Sequence, residues 1–103
     1  MEMISNEEKI TQAVLVSVDT GDYDAEASLA ELKELVKSAG AEPVFTVTQN
    51  LKRPETGTYV GTGKLQEIAD ICKQQEIDLL VFDCELSPTQ IRNIEAETDT
   101  RTI

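Results

Sequence analysis

The sequence predicts an α/β fold: a three-layer domain with a mostly parallel sheet of about four strands in spatial order 2-1-3-4 and helices on both faces. Three observations predict it. Short apolar runs alternate along the chain with longer stretches whose apolar residues recur at helical spacing. Such alternation implies right-handed βαβ crossovers, and therefore parallel strands. The first and third apolar runs are the most continuous, which places them at the centre of the sheet, covered on both sides.

Each element has its own local reason. Ala13-Val14-Leu15-Val16-Ser17-Val18 is short, β-branched and almost wholly apolar, so it reads as a strand buried on both faces. Asp19 to Asp24 is rich in turn formers, and Asp24 can cap the helix that follows, with Glu26 in its first turn. Leu29, Leu32, Val36 and Ala39 then mark the inward stripe of that helix, Lys33 and Lys37 lie on another face, and Gly40 stops it. Pro43 opens a second run, Val44 to Thr48, whose apolar–polar alternation and leading proline suit an edge strand. Gln49 to Val60 is a long polar connection of the kind that is often functional or mobile. Leu65, Ile68, Ala69 and Cys72 predict a second helix, and Leu79-Leu80-Val81-Phe82 a third, buried strand. The strongest local grammar comes next. Ser87 is an N-cap, Pro88 occupies the first helical position, Gln90 completes a capping box, and Leu86 with Ile91 forms a hydrophobic staple. After Thr98-Asp99 the chain becomes extended through Ile103.

Composition narrows the function classes. The chain has 103 residues, enough for one small domain. Aromatics make up only 4%, so the core must be built from Leu, Ile, Val and Ala. No stretch approaches the roughly 18 apolar residues of a membrane span. Residues 1–11, polar and acidic at the start with no apolar signal region, are expected to be a flexible N-terminus, with the domain over 12–103 and a cytoplasmic location. Cys72 and Cys84, with no histidine in the chain, form neither a disulfide framework nor a zinc pattern; both lie on apolar runs and read as buried free thiols. A net charge of −11 repels phosphate backbones on average, so any contact with nucleic acid must be local.

Gly61-Thr62-Gly63-Lys64 looks like a phosphate-binding loop and is not one. A Walker A loop needs a glycine where Thr58 stands and a hydroxyl where Leu65 stands. The segment reads as a flexible helix entry whose free backbone N–H groups, with Lys64, could hold an anion weakly. Lys52, Arg53 and Lys64 bracket the long loop in an otherwise acidic chain. They read either as an ordinary solvated loop or as a local contact for phosphate or RNA. Asp19-Thr20-Gly21 matches the aspartic protease triplet, but those enzymes are all-β and this chain carries three helix patterns. Asp19 and Asp83 each follow a central strand, at the crevice where α/β folds bind ligands. With Asp22 and Glu85 nearby they raise a second reading, a stand-alone receiver-like domain binding magnesium or a nucleotide. Asp is also a common turn former after strands.

Two segments carry a family resemblance. Thr58 through Glu67, behind its basic, proline-containing loop, and Phe82 through Asn93 together resemble the signature of the HflX family of ribosome-associated GTPases. The likeness extends over nearly all residues from about Gln12 onward. It implies an N-terminal α/β subdomain followed, in the family, by a helical subdomain and a Ras-like GTPase domain. It further implies binding to the large ribosomal subunit, with GTP and magnesium held by the later GTPase domain rather than here. On this reading the chain is not itself an enzyme, no residue is catalytic, and the ribosome, RNA or anion contacts fall to Lys52, Arg53, Gly61, Gly63 and Lys64. The helical subdomain and GTPase domain would be intramolecular partners. The chain ends as its fourth strand begins, which predicts a piece of a longer protein and an unfinished edge on which a second copy could pair.

Overall fold

A computed structural model describes residues 10–103. The expected flexible segment 1–11 falls mostly outside these residues, and Thr11 already belongs to the first strand. The elements follow in the order β1 (Thr11–Asp19), α1 (Ala25–Ser38), β2 (Ala41–Asn50), α2 (Thr62–Gln74), β3 (Leu79–Phe82), α3 (Pro88–Thr98) and β4 (Arg101–Thr102). The four strands lie in the order β2-β1-β3-β4. Every pairing is parallel.

β1 organises the domain because its side chains are apolar on both faces. Residues 13–18 are all buried. Val14, Val16 and Val18 pack with Leu80 and Phe82 of β3 against Leu65, Ile68 and Cys72 of α2 and Ile94 of α3. Ala13 and Leu15 point the other way, with Val81, onto Leu29, Leu32 and Val36 of α1. The two-residue period of a strand thus divides one run between two cores. α1 covers one face, α2 and α3 the other, and the three layers follow.

The helix ends confirm the local grammar. Asp24 Oδ1 accepts from Ala27 N (3.1 Å) at the start of α1. Gly40 follows the C-cap with φ +95°, a left-handed conformation that an L side chain resists. At α3 the box closes in both directions: Gln90 N donates to Ser87 Oγ (3.1 Å) and Ser87 N donates to Gln90 Oε1 (2.9 Å). Leu86 and Ile91 both pack into the α2–α3 core.

Several details differ from expectation. β2 is longer than Val44 to Thr48 and takes Pro43 into its body. Pro43 pairs with Ala13 and Phe45 with Val14, so Val44 is an extra residue and the strand bulges there. A proline without an N–H is tolerated on an edge strand beside a bulge. Ala39 is exposed, and Ala25 supplies the buried alanine of α1 instead. Cys72 is buried as expected, whereas Cys84 is only partly covered. Thr98, Thr100 and Thr102 are buried polar residues on no apolar pattern. Each hydroxyl donates to a nearby carbonyl, of Ile94 (2.8 Å), Thr98 (2.9 Å) and Thr100 (3.1 Å) respectively, which makes the burial tolerable.

The capping box yields a direct expectation. Ser87→Ala removes the acceptor for Gln90 N and should lower the stability of the domain by about 1 kcal/mol. Urea unfolding followed by circular dichroism measures it as a lower midpoint at unchanged slope. An unchanged midpoint would mean that the cap contributes nothing.

Candidate functional site

Parallel strands deliver their C-terminal ends, and the N-termini of the crossover helices, to one edge of the sheet. Asp19 closes β1, Asn50 closes β2, and Asp83 follows β3 at that edge. Gly61 and Ser87 cap α2 and α3 there. The loop cations, the glycine-rich helix entry and the two strand-end aspartates singled out from the sequence therefore lie at one end of the molecule. An open cleft of about 420 Å³ runs between the ends of β1 and β2, lined by Asp19, Thr20, Gly21, Asn50, Leu51 and Lys52. Leu51 N donates to Asp19 O (3.2 Å) and Gly21 N to Asp19 Oδ1 (3.0 Å), so Asp19 shapes this end as a turn former.

The long connection is a fixed structure. Glu55 and Tyr59 exchange backbone hydrogen bonds, both 3.0 Å, and form an isolated antiparallel bridge. Tyr59 takes φ +69°, which costs a non-glycine residue on the order of 1 kcal/mol. Its ring meets Phe82 edge-on, with centroids 5.8 Å apart, and Val60 beside it is fully buried; this packing offsets the strain. α3 holds the tip from outside. Gln90 Nε2 donates to Glu55 O (3.0 Å) and Asn93 Nδ2 to Gly57 O (2.8 Å). Gln49 Oε1 accepts from Gly61 N (2.8 Å) and ties the end of β2 to the start of α2. The loop-holding contacts of Gln49, Gln90 and Asn93 were not predicted from the sequence, which singled out Gln90 only for the capping box. Their only advance signal was that polar residues flank a loop too long to stand unsupported. Lys52 and Arg53 are exposed on the strand-proximal end of this pinned loop.

Gly61 to Lys64 is the N-cap and first turn of α2. No side chain caps this helix start. A Cβ at Gly61 would stand 3.1 Å from Gln49 Nε2, so the glycine permits the close approach that the Gln49 bond requires. Lys64 Nζ pairs with Glu67 Oε1 (3.1 Å), one turn along its own helix. Leu65, where a magnesium-binding hydroxyl would be needed, is buried in the α2–α3 core. These residues do not fit a nucleotide phosphate loop.

Asp83 stands apart from Asp19 in its role. Its Oδ2 accepts from Ser17 Oγ (2.8 Å) and Ser28 Oγ (3.0 Å). The Tyr23 hydroxyl is within reach of the same oxygen (3.1 Å) and of Val18 O (2.9 Å), and its single proton serves one at a time. Asp83 thus joins β1, β3 and the start of α1 through hydroxyls. Among the described residues no group of three His, Cys, Asp or Glu is placed to hold a metal ion. Burial pushes the Tyr23 phenol up, with the Asp83 charge adding to it and the Ser17 hydrogen bond opposing it. Burial also raises the Cys84 thiol, against the Tyr59 hydrogen bond and with the Asp83 charge. Tyr59 is raised strongly, by burial first and then by Cys84.

Two outcomes are expected. Gln49→Ala leaves the part-buried Gly61 N–H without its acceptor and should cost about 1–3 kcal/mol. Amide exchange over residues 55–61 should accelerate with it; exchange at the wild-type rate would show that Gln49 does not hold the loop. The second concerns alkali. Cys72 and Cys84 are raised from an ordinary 9.0, and Tyr23 and Tyr59 from 10.0. The fold keeps these protons after the unfolded chain has lost them, so their stabilising contribution is whole below those ordinary values and is lost as pH climbs through the raised ones. Thermal melts should show a level Tm near neutrality and a decline above about pH 9. Replacing both cysteines by serine should flatten the first part of that decline.

Comparison with known proteins places the chain among relatives. Residues 26–103 match the sequence profile of the family described as GTP-binding GTPase N-terminal. The chain is 48% identical over 101 residues to GTPase HflX of Lacrimispora saccharolytica, covering 97% of this chain and 24% of that protein. It is 42% identical over 93 residues to GTPase HflX of Escherichia coli strain K12, covering 89% of this chain and 22% of that one. In structure it resembles the crystal structure of SsGBP in complex with GDP, with a TM-score of 0.66 at 22% identity, over 90% of this chain and 25% of the other. At that identity the likeness concerns the fold alone. The chain thus spans about a quarter of the length of the relatives it matches.

Proposed function

This chain belongs to the HflX GTPase family as its N-terminal domain, and from that premise we propose that it is a ribosome-binding module rather than a catalytic unit. The observation that carries the reading is the pair of exposed cations, Lys52 and Arg53, at the base of a loop that α3 holds rigid. In a chain of net charge −11, binding to RNA has to be concentrated at such a place. A pinned loop presents its charges without the ordering cost that a free one incurs on binding. Gly63 adds an uncapped N–H of the first turn of α2 at the same edge, whereas the Gly61 N–H is already taken by Gln49 Oε1. Lys64 plays a lesser part, because its ammonium already pairs with Glu67.

The partner on this reading is the large ribosomal subunit, met through a phosphate-bearing surface of its RNA. GTP and magnesium belong to a GTPase domain outside this chain, in line with the misfit of Lys64 and Leu65 to a phosphate loop. A helical subdomain and that GTPase domain are the intramolecular neighbours. The site of action is the cytoplasm, where ribosomes are. No helix among the described residues is long and apolar enough to cross a membrane.

Co-sedimentation of the chain with isolated large subunits over a salt series tests the proposal. Lys52→Ala and Arg53→Ala should each weaken binding and lower the salt slope by about one. Lys64→Ala should do less. Equal affinity and slope for the Lys52→Ala/Arg53→Ala double variant would remove the loop from the interface. No sedimentation of the wild-type chain would remove the function from this domain.

A further inference from the structure

Among the described residues one buried side-chain polar atom is left without a partner. Asp83 Oδ1 is buried and accepts no hydrogen bond among the described residues, although Oδ2 of the same carboxylate is crowded with donors. A buried anionic oxygen without a donor is costly, and native structures rarely leave one so unless something else supplies the donor. Asp83 also lines a cleft of about 330 Å³ between α1 and the end of β3, on the opposite side of the sheet from α2 and α3. Ser28, Glu31, Leu32 and Leu35, on one helical stripe of α1, form its wall, and Cys84 its other border. Leu35 is 64% exposed, an apolar surface facing no neighbour. Glu31 is exposed and makes no ion pair among the described residues.

The cleft therefore combines an apolar wall with two carboxylates, one at depth and one at the rim, and its lining holds no cation. Its chemical complement is a positive head on an apolar stem. A dedicated divalent-metal site does not fit, for want of a third ligand of the right kind. We propose that the cleft receives the arginine side chain of a protein segment. The stem lies along Leu32 and Leu35, and the guanidinium donates to Asp83 Oδ1 at depth and to Glu31 at the rim. Arginine suits this better than lysine because its planar fork serves two acceptors at once and sheds its hydration more readily. Oδ2 stays with the Ser17 and Ser28 hydroxyls, which leaves Oδ1 as the acceptor for the guanidinium. This surface is separate from the basic loop and does not depend on ribosome binding.

Titration of the ¹⁵N-labelled chain with N-acetyl-arginine N-methylamide, followed by NMR, tests the site. Saturable shifts are expected at Ser28 to Leu35 and at Asp83 and Cys84, with none at Lys52 and Arg53. N-acetyl-citrulline N-methylamide, neutral and of the same shape, should produce no saturation. Asp83→Asn should weaken the arginine probe by about tenfold, and Glu31→Gln, on an exposed residue that the fold does not need, by a smaller factor. The proposal is overturned by no saturable shift in the wild-type chain, by equal binding of the citrulline probe, or by undiminished affinity in both variants. Magnesium chloride giving the same shifts at lower concentration would also overturn it, in favour of a simple cation site.

Discussion

Exclusion of water from both faces of β1 is the constraint on which the rest depends. A strand with one apolar face needs one covering layer; residues 13–18 need two. With α1 on one side and α2 and α3 on the other, the connections must cross the sheet, and right-handed crossovers then leave little freedom in strand order. The same constraint decides where chemistry can sit. The body of β1 offers no polar group to a ligand except Ser17, and that hydroxyl is spent on Asp83. Whatever the domain recognises must be met at the ends of the strands or on the helices.

The fold was legible because its signals are local. The buried strands announce themselves as unbroken aliphatic runs, and α3 is written out in Leu86, Ser87, Pro88 and Gln90 before any tertiary contact is considered. The boundaries of β2 were less so. A strand that alternates weakly and carries a proline reads as shorter than it is, since a bulge at Val44 has no sequence mark of its own.

The site was legible only in outline. The edge that holds it follows from topology, and the exposed cations are visible as charge against an acidic background. The supporting contacts were not. Gln49 from β2 and Gln90 and Asn93 from α3 act on backbone atoms in and beside the loop, and an amide side chain carries no sign of the backbone group it will meet. Asp83 illustrates the same limit. From the sequence it belongs with Asp19 as a potential cation ligand. In the fold its carboxylate turns toward α1, because Ser17, Tyr23 and Ser28 place their hydroxyls there, and the pairing with Asp19 gives way to a polar junction of three elements.

Gln90 gives the loop a history as well as a position. Its side chain closes the capping box of α3 through Oε1 and grips Glu55 through Nε2, a contact that spans 35 residues of sequence. The clamp on the loop is complete only with α3 docked, since Gln90 lies in the first turn of that helix. Closing so long a contour early would cost entropy before any contact repaid it. The loop that carries the basic pair is therefore clamped only where α3 is docked on the core, so its shape and the last helix stand or fall together.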